Sequence, residues 1–143
     1  MIVRYCAGGV VFYANKVLLV KNDRGEWTLP KGKIHQDELK HSSAVSRVKD
    51  ETGVEASILE NTMYQFFSRS RQQEVCNAIT WYIMQTDSNN YVLKDEFTDG
   101  GFYKVKEAIN MLTHSQEKSL VDISYKKYKE LRKNNIEDGL ATN

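Results

Sequence analysis

Residues 32–54 read GKIHQDELKHSSAVSRVKDETGV, and this stretch is the most informative part of the sequence about the fold. The polar, glycine-containing residues 31–37 predict a loop, and residues 38–52 have the spacing of an amphipathic helix. The apolar stripe of that helix consists of Ala44, Val45 and Val48. Gly53 follows at the position that glycine commonly takes after the last turn of a helix. The stretch therefore predicts a loop followed by a helix that packs against a core.

Runs of β-branched and aromatic residues on both sides of this stretch predict strands. They cover residues 2–13, 17–20, 27–29, 61–68, 75–86 and 102–105. Two further helices are predicted near the C terminus, over residues 106–112 and from residue 115 to about residue 133. Residues 135–143 are expected to form a flexible tail, which leaves one domain over residues 1–134. The sequence thus predicts a mixed-sheet α/β domain in which the loop and helix of residues 31–52 follow the third strand.

The composition indicates which partners and surroundings to expect. The 143 residues include 20 basic and 19 acidic ones, a formal net charge of +1, so no DNA-binding surface is evident. No apolar run approaches the roughly 18–20 residues that cross a bilayer, and residues 1–5 do not resemble a secretory signal. We therefore expect a cytoplasmic protein, a monomer or a homodimer, with no membrane partner. Cys6 and Cys76 lack the spacing of a zinc site and are expected to be buried, reduced thiols.

The end of the predicted helix carries charged side chains on one face. Asp50 and Glu51 follow Arg47 by three and four residues, so the three side chains are neighbours on the helix surface. Carboxylates held on a helix can bind Mg²⁺, which commonly uses one or two of them together with phosphate oxygens of a substrate. Lys31 and Lys33 in the preceding loop offer positive charge to such phosphates. Ordinary intrahelical ion pairs, worth about 0.3–0.5 kcal/mol each, are the alternative that spacing alone leaves open.

The stretch resembles the box of the Nudix family, whose usual form is Gly-(x5)-Glu-(x7)-Arg-Glu-(aliphatic)-x-Glu-Glu-x-Gly-(aliphatic). The positions that match without a gap are Gly32, Glu38, Val48, Glu51, Gly53 and Val54. Asp50 replaces one carboxylate of the box by another. Outside the box, the resembling segments are GGVV at 8–11, VLLV at 17–20, WTLPKGK at 27–33 and FYKVKEA at 102–108. The segment at 27–33 is particularly similar to the branch of the family that cleaves diadenosine polyphosphates.

This resemblance implies a fold and an activity. The fold is a Nudix-like α/β/α sandwich with a mixed sheet. The activity is a metal-dependent pyrophosphohydrolase acting on a nucleoside diphosphate linked to another group, such as a dinucleoside polyphosphate, a nucleotide sugar or an NTP-like compound. The implied cofactor is Mg²⁺ or Mn²⁺, which would stabilise the developing charge and activate the attacking water.

The resemblance also implies roles for individual residues. The implied metal ligands are Asp50, Glu51 and the carbonyl of Gly32, and Glu38 is a further catalytic candidate of the box. Arg47 is also counted among the catalytic candidates, because it stands at a catalytic position of the box. Glu96 is the preferred candidate for a general base or a further ligand, with Asp95 and Asp99 as alternatives. The expected substrate contacts are Arg4, Lys31, Lys33, Tyr64 and Tyr103. Aromatic side chains on strands more often pack in a core, and the same alternative applies to the two tyrosines.

Two positions depart from the family's box. Ser46 and Arg47 stand where the family has Arg and Glu, so a cation is lost at one position and a charge is reversed at the next. The guanidinium of Arg47 is permanently cationic and pairs well with carboxylates, so it could occupy the space of a metal beside Asp50 and Glu51. Two outcomes follow: a working but weakened hydrolase, or a catalytically inactive nucleotide-binding or regulatory module. A purely structural interaction domain is the third and least favoured of the functions considered.

Overall fold

Seven strands and three helices make up the described part of the chain. The computed structural model describes residues 2–69 and 75–141. The strands are β1 (Ile2–Tyr13), β2 (Lys16–Lys21), β3 (Trp27–Thr28), β4 (Lys31–Lys33), β5 (Ser57–Arg69), β6 (Val75–Gln85) and β7 (Asp99–Lys104). The helices are α1 (Lys40–Thr52), α2 (Val105–Met111) and α3 (Ser115–Ala141). None of the helices in these described ranges is long and apolar enough to cross a membrane.

The strands form one mixed sheet. Its order is β3-β2-β1-β6-β5, with β4 paired to β1 and β7 paired to β2. The pairing of β1 with β6 is parallel, and the other pairings are antiparallel. The mixed α/β fold expected from the sequence is therefore confirmed.

Helices cover both faces of this sheet. Successive residues of β1 point to opposite faces, and each face contributes to its own buried cluster. Val10 and Phe12 belong to the cluster that includes residues of α2 and α3, where the Phe12 ring stacks on Tyr128 with centroids 4.6 Å apart. Ala7 and Val11 belong to the opposite cluster, which includes apolar residues of α1. The sheet is thus the middle layer of a sandwich, and α1 is held against one face.

The segment before α1 differs from the prediction. Residues 31–33 were expected in a loop, but they form β4, which pairs with Cys6, Ala7 and Gly8 of β1. The loop and helix therefore follow the fourth strand rather than the third. Lysine and glycine have low strand propensity, so only the partner strand, distant in sequence, reveals this pairing. Helix α1 also begins at Lys40 instead of Glu38, and it ends as predicted, with Gly53 in the left-handed conformation at φ 70°.

Other boundaries also shift. Strand β5 begins at Ser57, earlier than the expected residue 61, and α3 continues to Ala141 instead of ending near residue 133. The charged segment 69–74 between two strand-like runs also predicts a turn, and this segment lies almost wholly outside the described residues. Both cysteines are free thiols, as expected, but they are half-buried rather than buried. The flexible tail over 135–143 stays a prediction.

Candidate active site

The backbone of the loop between β6 and β7 is attached to the end of α1. The amide of Val92 donates to the carbonyl of Thr52 at 2.8 Å, and the amide of Lys94 donates to the carbonyl of Glu51 at 2.9 Å. The last carbonyls of a helix have no partner within the helix, so these two bonds satisfy them. The attachment brings Glu96 of the loop to the side chain of Glu51.

Glu51 and Glu96 form an acidic pair in a cavity of about 260 Å³. The pKa of Glu51 is raised to about 7, mainly by burial and then by the charge of Glu96 and a hydrogen bond with it, whereas the charge of Lys94 acts in the opposite direction. Oxygen Oε2 of Glu51 is buried and has no hydrogen-bond partner among the described residues. Two carboxylates this close favour sharing a proton when no cation is between them. The acidic pair, formed by one residue of the box and one of the β6–β7 loop, is therefore the group best suited to receive a cation.

Arg47 lies under the glycine of the box and is only 8% exposed. Its Nη1 donates to the carbonyl of Lys33 at 3.2 Å and also contacts Nε2 of His35. Its Nη2 lies 3.6 Å from Oε2 of Glu38, and its Nε lies 3.1 Å from Oδ2 of Asp50. The Nε contact has ion-pair distance but not the direction of a hydrogen bond. Arg47 therefore pairs both along the helix and across to the preceding loop.

Glu38 belongs to this arginine cluster and not to the acidic pair. Its Oε1 accepts hydrogen bonds from the backbone amide of His35 at 3.0 Å and from the hydroxyl of Ser43 at 2.8 Å. The bond from the His35 amide, followed by that from Ser43, lowers the pKa of Glu38 below its ordinary value, and the charge of Arg47 contributes. Glu38 therefore stays ionised and holds the loop before α1 in place.

The predicted metal ligands are accordingly divided between two groups. Asp50 has a 57% exposed side chain and turns toward Arg47, whereas Glu51 turns toward Glu96. Within the described ranges, no group of three His, Cys, Asp or Glu side chains is arranged to hold a metal ion. Gly32 lies in β4 opposite Ala7, and an added Cβ there would be 2.7 Å from Cδ of Arg47. The glycine is thus required by the arginine packed against it.

A second, larger cavity of about 520 Å³ lies beside the first, on the face covered by α3. Its lining residues are Lys31, Phe66, Phe67, Ile79, Trp81 and the segment 113–117. Lys31 and His114 line both cavities, so they mark the boundary between the acidic pair and the aromatic surface. Aromatic faces of this kind suit a flat heterocycle, and the volume is in the usual range of about 300–1,000 Å³ for small-molecule sites.

Glu117 is a buried carboxylate at the wall of the larger cavity. It is 6% exposed, and its Oε1 accepts a hydrogen bond from the backbone amide of Leu29 at 2.7 Å. Burial raises the pKa of Glu117, while the nearby charge of Lys31 and the bond from Leu29 act in the opposite direction. The carboxyl thus fixes the chain just before β4 to the start of α3.

The remaining predicted substrate contacts are placed differently. Lys33 is exposed in β4, and Arg4 is exposed on the first half of β1. Tyr64 and Tyr103 are half-buried and pack against the core, the latter with its ring 5.4 Å from that of Trp27. Of the five predicted contacts, only Lys31 is among the residues that line the two cavities just described.

Sequence reasoning missed several residues of the larger cavity. Ile79 and Trp81 are two residues apart on β6 and share one face, a spacing that could have pointed to them. Glu117 and His114 carried no such signal, because only the packing of α3 against the sheet brings them to the cavity.

Comparison with known proteins agrees with this geometry. A family model described as NUDIX domain matches residues 4–123. A C. elegans Ap4A hydrolase in a binary complex is similar with a TM-score of 0.77 and 18% identity, covering 89% of this chain and 98% of that one. The E. coli dihydroneopterin triphosphate pyrophosphohydrolase is similar with a TM-score of 0.69 and 12% identity, covering 85% and 96%. A MutT NUDIX hydrolase from Burkholderia pseudomallei has a TM-score of 0.68 and 17% identity, covering 85% and 98%.

The fold and the matched residues define the class as a hydrolase acting on phosphoanhydride bonds. The chain belongs to the NUDIX family, as the sequence predicted. This family generally uses divalent metal ions. The residues present fit one such ion, since Glu51 offers a buried oxygen without a partner and Glu96 adjoins it. Hard oxygen ligands of this type are those that Mg²⁺ and Mn²⁺ prefer.

Proposed function

We propose that this protein is a Mg²⁺- or Mn²⁺-dependent pyrophosphohydrolase that cleaves a nucleoside diphosphate linked to another group. The observation that carries the proposal is the acidic pair Glu51–Glu96 beside an aromatic cavity, with Lys31 lining both. A substrate with a phosphoanhydride next to a nucleoside needs these features side by side.

The diphosphate would lie between the acidic pair and Lys31. Glu51 and Glu96 would hold the cation, which when bound supplies charge stabilisation and an activated water. Cation binding requires Glu51 to lose the proton that its raised pKa retains, so loading should be weaker below pH 7. Lys31 would contact a phosphate oxygen from the other side. Glu96 would serve either as a ligand or as the group that accepts a proton from water.

The nucleoside would occupy the larger cavity. Phe66 and Trp81 provide aromatic surface, and the side chain of Lys31 lies with its Nζ 5.9 Å from the Trp81 ring. A base stacked there would leave its phosphates near Lys31, at the boundary with the acidic pair. Dinucleoside polyphosphates are the first substrates to test, because the segment at 27–33 resembles that branch and a similar structure is an Ap4A hydrolase.

One observation favours a second candidate, a catalytically inactive nucleotide-binding module. Arg47 forms an ion pair with Asp50 at 3.1 Å, so the box has fewer carboxylates free for a metal than the family's usual pattern provides. Such a module would retain the aromatic cavity and Lys31 and would bind a nucleotide without cleaving it. A cytoplasmic location and a monomeric or homodimeric state are part of both versions of the proposal.

Hydrolysis of a substrate panel distinguishes the two. The panel contains diadenosine polyphosphates, a nucleotide sugar, ADP-ribose and nucleoside triphosphates, each with Mg²⁺ and then Mn²⁺. Glu51→Gln removes a proposed ligand, and Glu55→Gln is the matched control, because Glu55 is an exposed carboxylate paired with Lys49 at 2.9 Å just beyond the same helix. Turnover that is lost in the first variant and kept in the second supports the hydrolase. Nucleotide binding without turnover under every condition supports the inactive module instead.

A further inference from the structure

Arg47 brings a fixed positive charge into the box at a place where the family's pattern has a carboxylate. Its guanidinium lies between Glu38 and Asp50, with the nearest ion-pair distances at 3.6 and 3.1 Å. Two carboxylates that would otherwise repel each other are therefore joined by a cation that belongs to the chain itself. The guanidinium thus neutralises charge between the two carboxylates, as a metal ion would do.

The position of this guanidinium is fixed by its surroundings. The aliphatic part of Arg47 fills the space beside Gly32, whose added Cβ would be only 2.7 Å from Cδ and 2.9 Å from Cγ. The Lys33 carbonyl accepts a hydrogen bond from Nη1, and the residue is 92% shielded from solvent, being 8% exposed. A group anchored by both its stem and its head remains in the box when a substrate or cation arrives.

The charges of the box are thereby separated into two unequal sets. Glu38, Arg47 and Asp50 sum to a formal −1, and their opposite charges are already paired. In the second set, Glu96 has one exposed ion pair, with Nζ of Lys94 3.8 Å from its Oε1, and one oxygen of Glu51 is buried without a hydrogen bond to any described residue. A divalent cation is therefore attracted most strongly to Glu51 and Glu96. A second cation beside Glu38 and Asp50 would be repelled by the guanidinium of Arg47.

We infer that Arg47 is a built-in cation that replaces one metal ion, so that the box binds a single divalent ion, at Glu51 and Glu96. The inference rests on the proposed metal-dependent function. It adds that one divalent ion binds and that the charge of Arg47 is the reason. Asp50 and Glu38 are then positioning residues for the arginine rather than metal ligands.

The test is the number of Mn²⁺ ions bound by the protein alone, without nucleotide, at pH 8. Free Mn²⁺ is followed by electron paramagnetic resonance during a titration, which reads occupancy and not activity. We expect one equivalent for the unmodified protein and none for Glu51→Gln. The double variant Ser46→Arg/Arg47→Glu restores the family's pair and should bind a second equivalent.

The matched control is Ser46→Arg/Arg47→Lys, which makes the same change at residue 46 but keeps a cation at residue 47. It should bind one equivalent, and a circular dichroism melt of each variant verifies folding. Two equivalents in the unmodified protein, or one in the Arg47→Glu double variant if it is folded, would overturn the inference. Either result leaves the proposed hydrolase standing, because that proposal fails only if the substrate panel gives no turnover.

Discussion

Replacing Glu51 by glutamine should stabilise the metal-free protein at high pH. The folded protein raises the pKa of this carboxyl from its ordinary value of 4.5 to about 7, with burial as the largest cause. The folded state therefore holds its proton more tightly than the unfolded chain does. Ionisation of Glu51 therefore lowers the free energy of unfolding. The loss is absent below pH 4.5, grows between pH 4.5 and 7, and reaches its full size above pH 7. Glutamine cannot ionise, so it avoids the cost.

The magnitude follows from the size of this pKa change. At about 1.4 kcal/mol for each pH unit, the difference between 4.5 and about 7 sets an upper bound of about 3–4 kcal/mol. Glu51 is only partly buried, so solvent screening reduces the expected gain to about 1–2 kcal/mol. For a domain of this size such a gain raises Tm by about 3–6 °C.

Thermal unfolding in the presence of a chelator measures this gain at pH 5 and at pH 8. The gain of Glu51→Gln over the unmodified protein should be present at pH 8 and much smaller at pH 5. Glu55→Gln serves as the control, because the hydrogen bond and charge of Lys49 lower the pKa of Glu55 and ionisation there favours the folded state. Equal gains in stability at the two pH values, or no gain at pH 8, would refute the raised pKa of Glu51 in the acidic pair.

Three further predictions concern other parts of the site. Glu117→Gln should also gain stability over the unmodified protein as pH rises, because burial raises the pKa of Glu117. The amide oxygen of glutamine can still accept the hydrogen bond from the Leu29 amide, and urea unfolding at pH 5 and pH 8 measures the gain. Gly32→Ala should lose about 1–3 kcal/mol in urea unfolding, because its Cβ would collide with the stem of Arg47. Phe66→Ala should raise KM for a nucleotide substrate by up to about 10-fold with a small change in kcat, and equal losses in both would contradict a role in holding the base.

Local pattern was sufficient for much of the fold. The end of α1 was predictable because its apolar stripe stops at a glycine that adopts a positive φ, which is a property of a few neighbouring residues. The alternation of β1 between two clusters follows from its own sequence. Strand β4 was not predictable in this way, because Lys31, Gly32 and Lys33 become a strand only through pairing with β1.

The site divides in the same manner. Glu51 and Arg47 could be placed on one helix end by counting residues, and resemblance suggested Glu96. Helical spacing could not decide which carboxylate turns toward the arginine, because Asp50 and Glu51 are adjacent and differ in what the surrounding loops offer them. The aromatic cavity was largely missed, since its walls come from β5, β6 and the start of α3, which tertiary packing alone brings together.

The attachment of the β6–β7 loop to α1 makes Gly53 a spacer as well as a helix end. An added Cβ at this residue would be 3.0 Å from the amide nitrogen and 3.2 Å from the carbonyl oxygen of Val92. Any side chain here would therefore push the loop outward at the point where its backbone joins the helix. Because Glu96 belongs to that loop and Glu51 to the helix, a shift of the loop at Gly53 would also change the distance between the two acids. The width of the proposed cation site therefore depends on having glycine, which has no side chain, at the end of α1.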